Sequence, residues 1–197
     1  DLADDVPGRM KEFESLVERT HDAGMKVIID FVPNHVARQY HSDAKVAYVE
    51  DLGQKDNTSK AFDPNNNFYY IPGQTLCLQF GAQQEDFEYS EFPAKVTGND
   101  CFSTCPGQND WYETVKLNYG VDYMNGRTTY FDPAPDTWTK MLDILLFWAE
   151  KGVDGFRCDM AEMVPVEFWN WVIPKVKQAY DISFIAEVYN PAEYRNY

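Results

Sequence analysis

Two kinds of apolar pattern alternate along the chain. Met10, Phe13, Leu16, Val17 and Thr20 recur at helical spacing, and Gly24 follows where a helix C-terminal glycine belongs. The β-branched run Lys26–Val32 comes next and is closed by Pro33; apolar on both faces, it predicts a buried parallel strand. Trp138, Met141, Leu142, Leu145, Leu146 and Ala149 predict a second helix, with Asp136 as N-cap and Gly152 beyond its end. A strand over Val153–Asp159 follows. Phe168, Val172, Ile173 and Val176 then predict a third helix, which Pro174 is expected to kink or divide. Ile182–Val188 predicts a last strand.

This order predicts an α/β fold with a parallel sheet and covering helices. The spacing adds an insertion. From Asp159 to Glu187 is 28 residues, a normal strand–helix repeat, whereas Asp30 to Asp159 is 129, about a hundred more than one crossover needs. The excess, from about Val36 to Pro135, is rich in Asn, Asp, Gly, Tyr and Phe and lacks a helical period, which predicts an irregular subdomain of small sheets. It leaves the first strand at its C-terminal end, the face on which parallel α/β folds build their sites.

Composition narrows the partners. With 44% apolar and 16% aromatic residues the chain has material for a core. Its formal charge of −15 argues against nucleic acid or an anionic membrane, both of which need a basic face. A neutral or cationic ligand fits better. No run approaches the roughly 20 apolar residues of a membrane helix. The opening on Asp1, within an acidic stretch, suggests a processed chain or an excerpt, and the sequence does not fix a compartment. The four cysteines form no CxxC pair and have no His cluster beside them, which argues against structural zinc. Cys77, Cys101 and Cys105 share one polar region with room for a single disulfide, and Cys158 reads as a buried small hydrophobe.

Each predicted strand turns polar at its C-terminal end. The first brings Asp30, then Asn34 and His35; the second Arg157 and Asp159; the third Glu187. A lone acid at a strand end is usually a cap or a turn former. Three consecutive strands ending in ionisable groups are harder to dismiss, because clustered charges must be paired or used. Arg157, two residues before Asp159, is expected to hold that Asp ionised. Glu187 follows Phe184-Ile185-Ala186 with no basic neighbour, so an apolar setting is expected to keep it protonated. An ionised Asp facing a protonated Glu is the division of labour of glycoside hydrolysis, and retaining enzymes hold the two about 5–5.5 Å apart.

At these residues the chain resembles a known family. Asp30-Phe31-Val32-Pro33-Asn34-His35, Gly155-Phe156-Arg157-Cys158-Asp159 and Ala186-Glu187-Val188 are similar, in order and spacing, to three short signatures of the α-amylase family, glycoside hydrolase family 13. The resemblance implies part of a (β/α)8 TIM barrel, about helix 2 to strand 5, with an irregular domain B inserted after barrel strand 3. Residues 1–35 and 136–197 would then be barrel and 36–135 domain B. It implies retaining chemistry at α-1,4-glucosidic bonds of starch-like glucans. Asp159 resembles the nucleophile and Glu187 the general acid/base. Arg157 would orient Asp159, Asp30 would steady Arg157, and His35 would donate to hydroxyls of the sugar.

Asn34 matches a position that ligates Ca2+ in many members. The domain B signature reads Val115-Lys116-Leu117-Asn118, with Lys116 where calcium-dependent members carry an acid. An ammonium there can stand in for the cation, so the expectation is against Ca2+ and toward the neopullulanase and cyclomaltodextrinase branch. Met160-Ala161-Glu162-Met163 replaces the Lys-His pair of typical α-amylases, leaving the leaving-group side open. Trp111, Tyr112, Tyr119, Tyr123 and Phe68-Tyr69-Tyr70 offer rings for sugar stacking, but most are expected to form the insertion's own core.

The implied partners are an α-glucan or maltooligosaccharide substrate and the remainder of the parent barrel. The fourth signature and the first two barrel strands are absent, so the chain alone is expected to be inactive. Alternatives within the resemblance are a neopullulanase- or cyclomaltodextrinase-like hydrolase and a glucanotransferase. A different class is a non-catalytic barrel homologue, as among amino-acid transporter heavy chains, which typically lack the catalytic acids.

Overall fold

The computed structural model describes residues 7–42, 45, 47–78 and 89–197; Asp1 and the rest of 1–6, together with 43–44, 46 and 79–88, lie outside the described residues. In chain order the elements are α1 (Arg9–Asp22), β1 (Ile28–Phe31), β2 (His35–Ala37), β3 (Tyr70–Ile71), β4 (Ala94–Lys95), β5 (Thr114–Lys116), β6 (Val121–Asp122), β7 (Thr128–Thr129), α2 (Asp136–Glu150), β8 (Gly155–Cys158), α3 (Val166–Ala179) and β9 (Ser183–Ala186). They fall into two compact units, residues 1–32 with 141–197, and residues 33–140.

The first unit holds a three-stranded parallel sheet in the order β1-β8-β9, with Ile29 opposite Phe156 and Phe156 opposite Phe184. Side chains alternate across a strand, so this register sorts them onto two faces. On one face Phe31, Phe156 and Cys158 are buried, with Phe31 edge-on to both Phe156 and Trp169. α3 buries Phe168, Trp169, Val172 and Val176, and α2 buries Met141, Leu145 and Ala149. The other face carries Ile28, Asp30, Arg157 and Ile185. Ile28 is 47% and Ile185 51% exposed, which corrects the expectation that β1 is buried on both sides. Among the described residues of this unit, the helices bury only one face of the sheet.

α3 is a single span that Pro174 does not divide. Its buried residues lie on both sides of the proline and hold the two halves to one core. Asp154, just before β8, ties the loops together. Its Oδ1 accepts from Lys26 Nζ, and its Oδ2 meets the Val27 N–H and His21 Nε2, each at 2.8 Å.

The second unit is built from two-stranded antiparallel pairs, β2–β5, β3–β4 and β6–β7, linked by turns. Asn67 is its hub: its Oδ1 accepts from Gly53 N–H and Lys140 Nζ, and its Nδ2 donates to Asp136. Arg38 and Glu91 form a buried ion pair at 2.6 Å. The unit's bounds fall at 33 and 140. His35 pairs with Lys116, and the Trp138 indole donates to the Tyr119 carbonyl, which draws both flanks into the insertion.

Candidate active site

The sheet's hydrogen bonding runs one residue past its strands. The Asp159 N–H donates to Phe31 O at 2.9 Å, and the Glu187 N–H donates to Cys158 O at 3.0 Å. By the same alternation Asp30, Arg157, Asp159 and Glu187 all lie on the half-open face of the first unit. Their spacing in sequence was enough to predict this, because each strand contributes its last polar residues.

Arg157 is the centre of the cluster. Its Nη1 donates to Asp30 Oδ1 at 2.8 Å, Asp30 Oδ2 at 3.0 Å and Asp159 Oδ1 at 2.8 Å, while Nη2 pairs with Glu187 Oε1. Asp159 and Glu187 are drawn within hydrogen-bonding reach of each other. One guanidinium holds both acids.

The protonation order differs from expectation, and it is reversed. Partial burial pushes the Asp159 carboxyl above its ordinary value, aided by Glu187, and Arg157 only partly offsets this. Glu187 is held below its ordinary value, first by the Met160 N–H at 3.0 Å, then by the Tyr189 hydroxyl at 2.8 Å, with Arg157 adding to both. The apolar residues preceding Glu187 do not surround its carboxylate; donors do. Arg157 is raised, first by Asp30. With three carboxyls around one cation, a proton shared between Asp159 and Glu187 relieves the repulsion, and the pair titrates as a unit.

Met160 and Tyr189 are the members that the sequence reading missed. Met160 reaches Glu187 from a left-handed turn, φ 46°, which nothing in its sequence announces. Tyr189 stands two residues beyond Glu187, and that spacing was a usable signal.

His35 and Asn34 belong to the second unit. His35 lies on β2, its ring 5.4 Å from that of Trp111, and Asn34 Nδ2 is 3.3 Å from its Nδ1. Asn34 is buried: its Nδ2 donates to Gly98 O at 2.8 Å and its Oδ1 accepts from Lys116 Nζ at 3.0 Å. Lys116 Nζ also pairs with Asp100 Oδ1 at 2.6 Å. A monovalent cation is thus already bonded to the oxygen that would ligate Ca2+, and a divalent ion beside a buried ammonium is repelled. These residues do not fit Ca2+, and the candidacy of Asn34 as a ligand is withdrawn on that ground. Of the aromatic candidates, Phe68, Tyr69, Tyr70 and Tyr119 are buried in the unit's own core.

The family model described as "Alpha amylase, catalytic domain" matches residues 4–190. The amino acid transporter heavy chain SLC3A1 of Homo sapiens is 27% identical over 168 residues, covering 82% of this chain and 20% of its own length. Maltase 1 of Drosophila virilis is 26% identical over 153 residues, covering 77% of this chain and 20% of its own length. The chain therefore spans about a fifth of these relatives. The crystal structure of an α-amylase from Lactobacillus plantarum superposes with a TM-score of 0.54 at 23% identity, over 93% of this chain and 29% of that one, a likeness of fold.

Proposed function

The chain belongs to the α-amylase catalytic-domain family, and from that premise we propose that it carries the two catalytic carboxyls of a retaining glycoside hydrolase acting on α-1,4-linked, starch-like glucans. Asp159 is the nucleophile. Its carboxylate bonds to the anomeric carbon as Glu187 gives its proton to the departing glycosidic oxygen. Glu187 then takes a proton from water, whose oxygen displaces Asp159 from the sugar. His35 keeps the assignment that the family likeness implies, to a sugar hydroxyl.

The observation that carries this reading is the single guanidinium of Arg157 shared by Asp159 and Glu187. Before reaction the shared proton must sit on Glu187. A sugar ring entering between the acids parts them, relieves Asp159 of its carboxyl neighbour and leaves Arg157 to hold it ionised. The proton's crossing is a transfer within the pair and needs no third group.

The exposed face bearing Ile28 and Ile185 supports a further part of the proposal. It is the inward face of a (β/α)8 barrel, completed by strands outside these 197 residues, with the second unit as domain B. The chain alone then lacks a closed site. Assayed on soluble starch it should show no turnover, and ordinary amylase rates from the isolated chain would refute this. Lys116 favours a neopullulanase- or cyclomaltodextrinase-like specificity, or glucanotransfer, over that of a typical α-amylase. Products from pullulan and maltooligosaccharides separate these.

In the intact enzyme, Glu187→Gln should lose activity on starch yet keep it on substrates whose leaving groups need no proton. Equal losses on both would remove Glu187 from the acid role. The likeness to a transporter heavy chain supports a second reading, a non-catalytic partner domain. The presence of Asp159, Glu187 and Arg157 weighs against it.

A further inference from the structure

Two cysteines of the second unit stand side by side. Cys77 follows β3 and Cys105 follows β4, and the Cys77 N–H donates to Thr104 O at 2.8 Å, which sets Cys77 against the residue preceding Cys105. Next to this pairing, the Leu76 N–H donates to Glu91 O at 3.0 Å, so the strand-like contact is anchored on its other side. Cys101 is held elsewhere: its N–H donates to Thr97 Oγ1 at 3.1 Å and its carbonyl accepts from the Thr97 N–H at 3.4 Å. All four cysteines are thiols in this state, with Cys105 exposed, Cys77 half-buried and Cys158 buried.

We propose that Cys77 and Cys105 are a redox pair that closes to a disulfide, tying the segment after β3 to the segment after β4. The oxidant is a small soluble disulfide such as oxidised glutathione. The exposed Cys105 thiolate attacks one of its sulfurs, forming a mixed disulfide and releasing one glutathione thiolate. The Cys77 thiolate then attacks the Cys105 sulfur and releases the second. The protein loses two protons and two electrons, and one glutathione disulfide becomes two thiols. The contact with Cys77 pushes the Cys105 thiol up from its ordinary value, so closure speeds up as pH rises.

The staple lies in the inserted unit, away from the Arg157 cluster in sequence and in unit, and does not depend on the proposed catalysis. The test is incubation of the full chain in a glutathione redox buffer at pH 8, followed by acid quench and thiol titration in denaturant. Reactive thiols should fall from four to two, with a mass loss of about 2 Da for the pair. Cys101→Ser should leave that loss of two unchanged, while Cys105→Ser and Cys77→Ser should each abolish it. Serine is close in size to cysteine, and Cys105 is exposed, so the variant leaves the packing intact. Retention of all four thiols, or a cross-link that survives Cys105→Ser by using Cys101, would overturn the assignment.

Discussion

The ammonium of Lys116 offers a direct measure of how the inserted unit manages a buried charge. Lys116 is 2% exposed and its pKa is pushed down by burial, yet Asp100, its ionic partner, has a side chain 42% exposed. This asymmetry sets the order of two substitutions. Lys116→Met removes the cation. Asp100 returns to water at little cost, since exposed pairs contribute about 0–1 kcal/mol. What remains is the buried Asn34 Oδ1 without its donor, about 1–3 kcal/mol. Asp100→Asn does the opposite. It keeps a residue tolerant of the positive φ of 68° and an oxygen to accept from Nζ, but leaves a buried ammonium without a counter-charge. Removing one partner of a buried pair costs about 3–5 kcal/mol, and the retained oxygen puts this case near 3. Equilibrium urea unfolding at pH 7 should therefore rank Asp100→Asn as the more destabilising. The Asp100→Asn deficit should also shrink as pH rises toward 10.5, the ordinary lysine value: between the lowered folded pKa and that value the unfolded chain binds more protons, so stability rises with pH. Lys116→Met costing as much as Asp100→Asn, or a deficit flat to pH 10, would refute the reasoning.

Two other substitutions probe the first unit. Asp154→Asn should cost about 1.5–3 kcal/mol at pH 7 by weakening the charge-assisted bonds to Lys26 and Val27. The folded Asp154 lies below 3.8, so its contribution is present above that value and lost as pH falls below it toward the folded value; the variant's acid unfolding curve should flatten over that range. Tyr189→Phe in the intact enzyme removes a donor that lowers Glu187. The alkaline limb of kcat/KM should move to higher pH, and an unmoved limb would detach Tyr189 from the acid.

Why the site's skeleton could be read from sequence, and its protonation could not, has a physical explanation. Asp30, Arg157, Asp159 and Glu187 sit toward the C-terminal ends of apolar runs, and a strand's period of two places them on one face without knowledge of the tertiary fold. Their proton affinities depend on what approaches from outside the strand. The Met160 N–H comes from a left-handed turn, and the Arg157 guanidinium is divided, Nη1 to Asp159 and Nη2 to Glu187. Proximity in sequence gave Arg157 to Asp159 alone, and so ordered the two pKa values the wrong way round. The exposure of Ile28 and Ile185 was equally hidden, because an apolar run looks the same whether one face or both are covered. Lys116 was legible as a charge out of place in an apolar signature; its partner Asp100 was not, because the contact joins β5 to a distant loop.

The central claim is that Asp159, and not Glu187, forms the covalent bond to the sugar. Treating the intact enzyme with a fluorinated glycosyl donor that slows release of the intermediate, then mapping the labelled peptide by mass spectrometry, tests it most directly. The label should sit on Asp159 and vanish in Asp159→Asn. A label on Glu187, the acid that the donors hold ionised in this structure, would contradict the account.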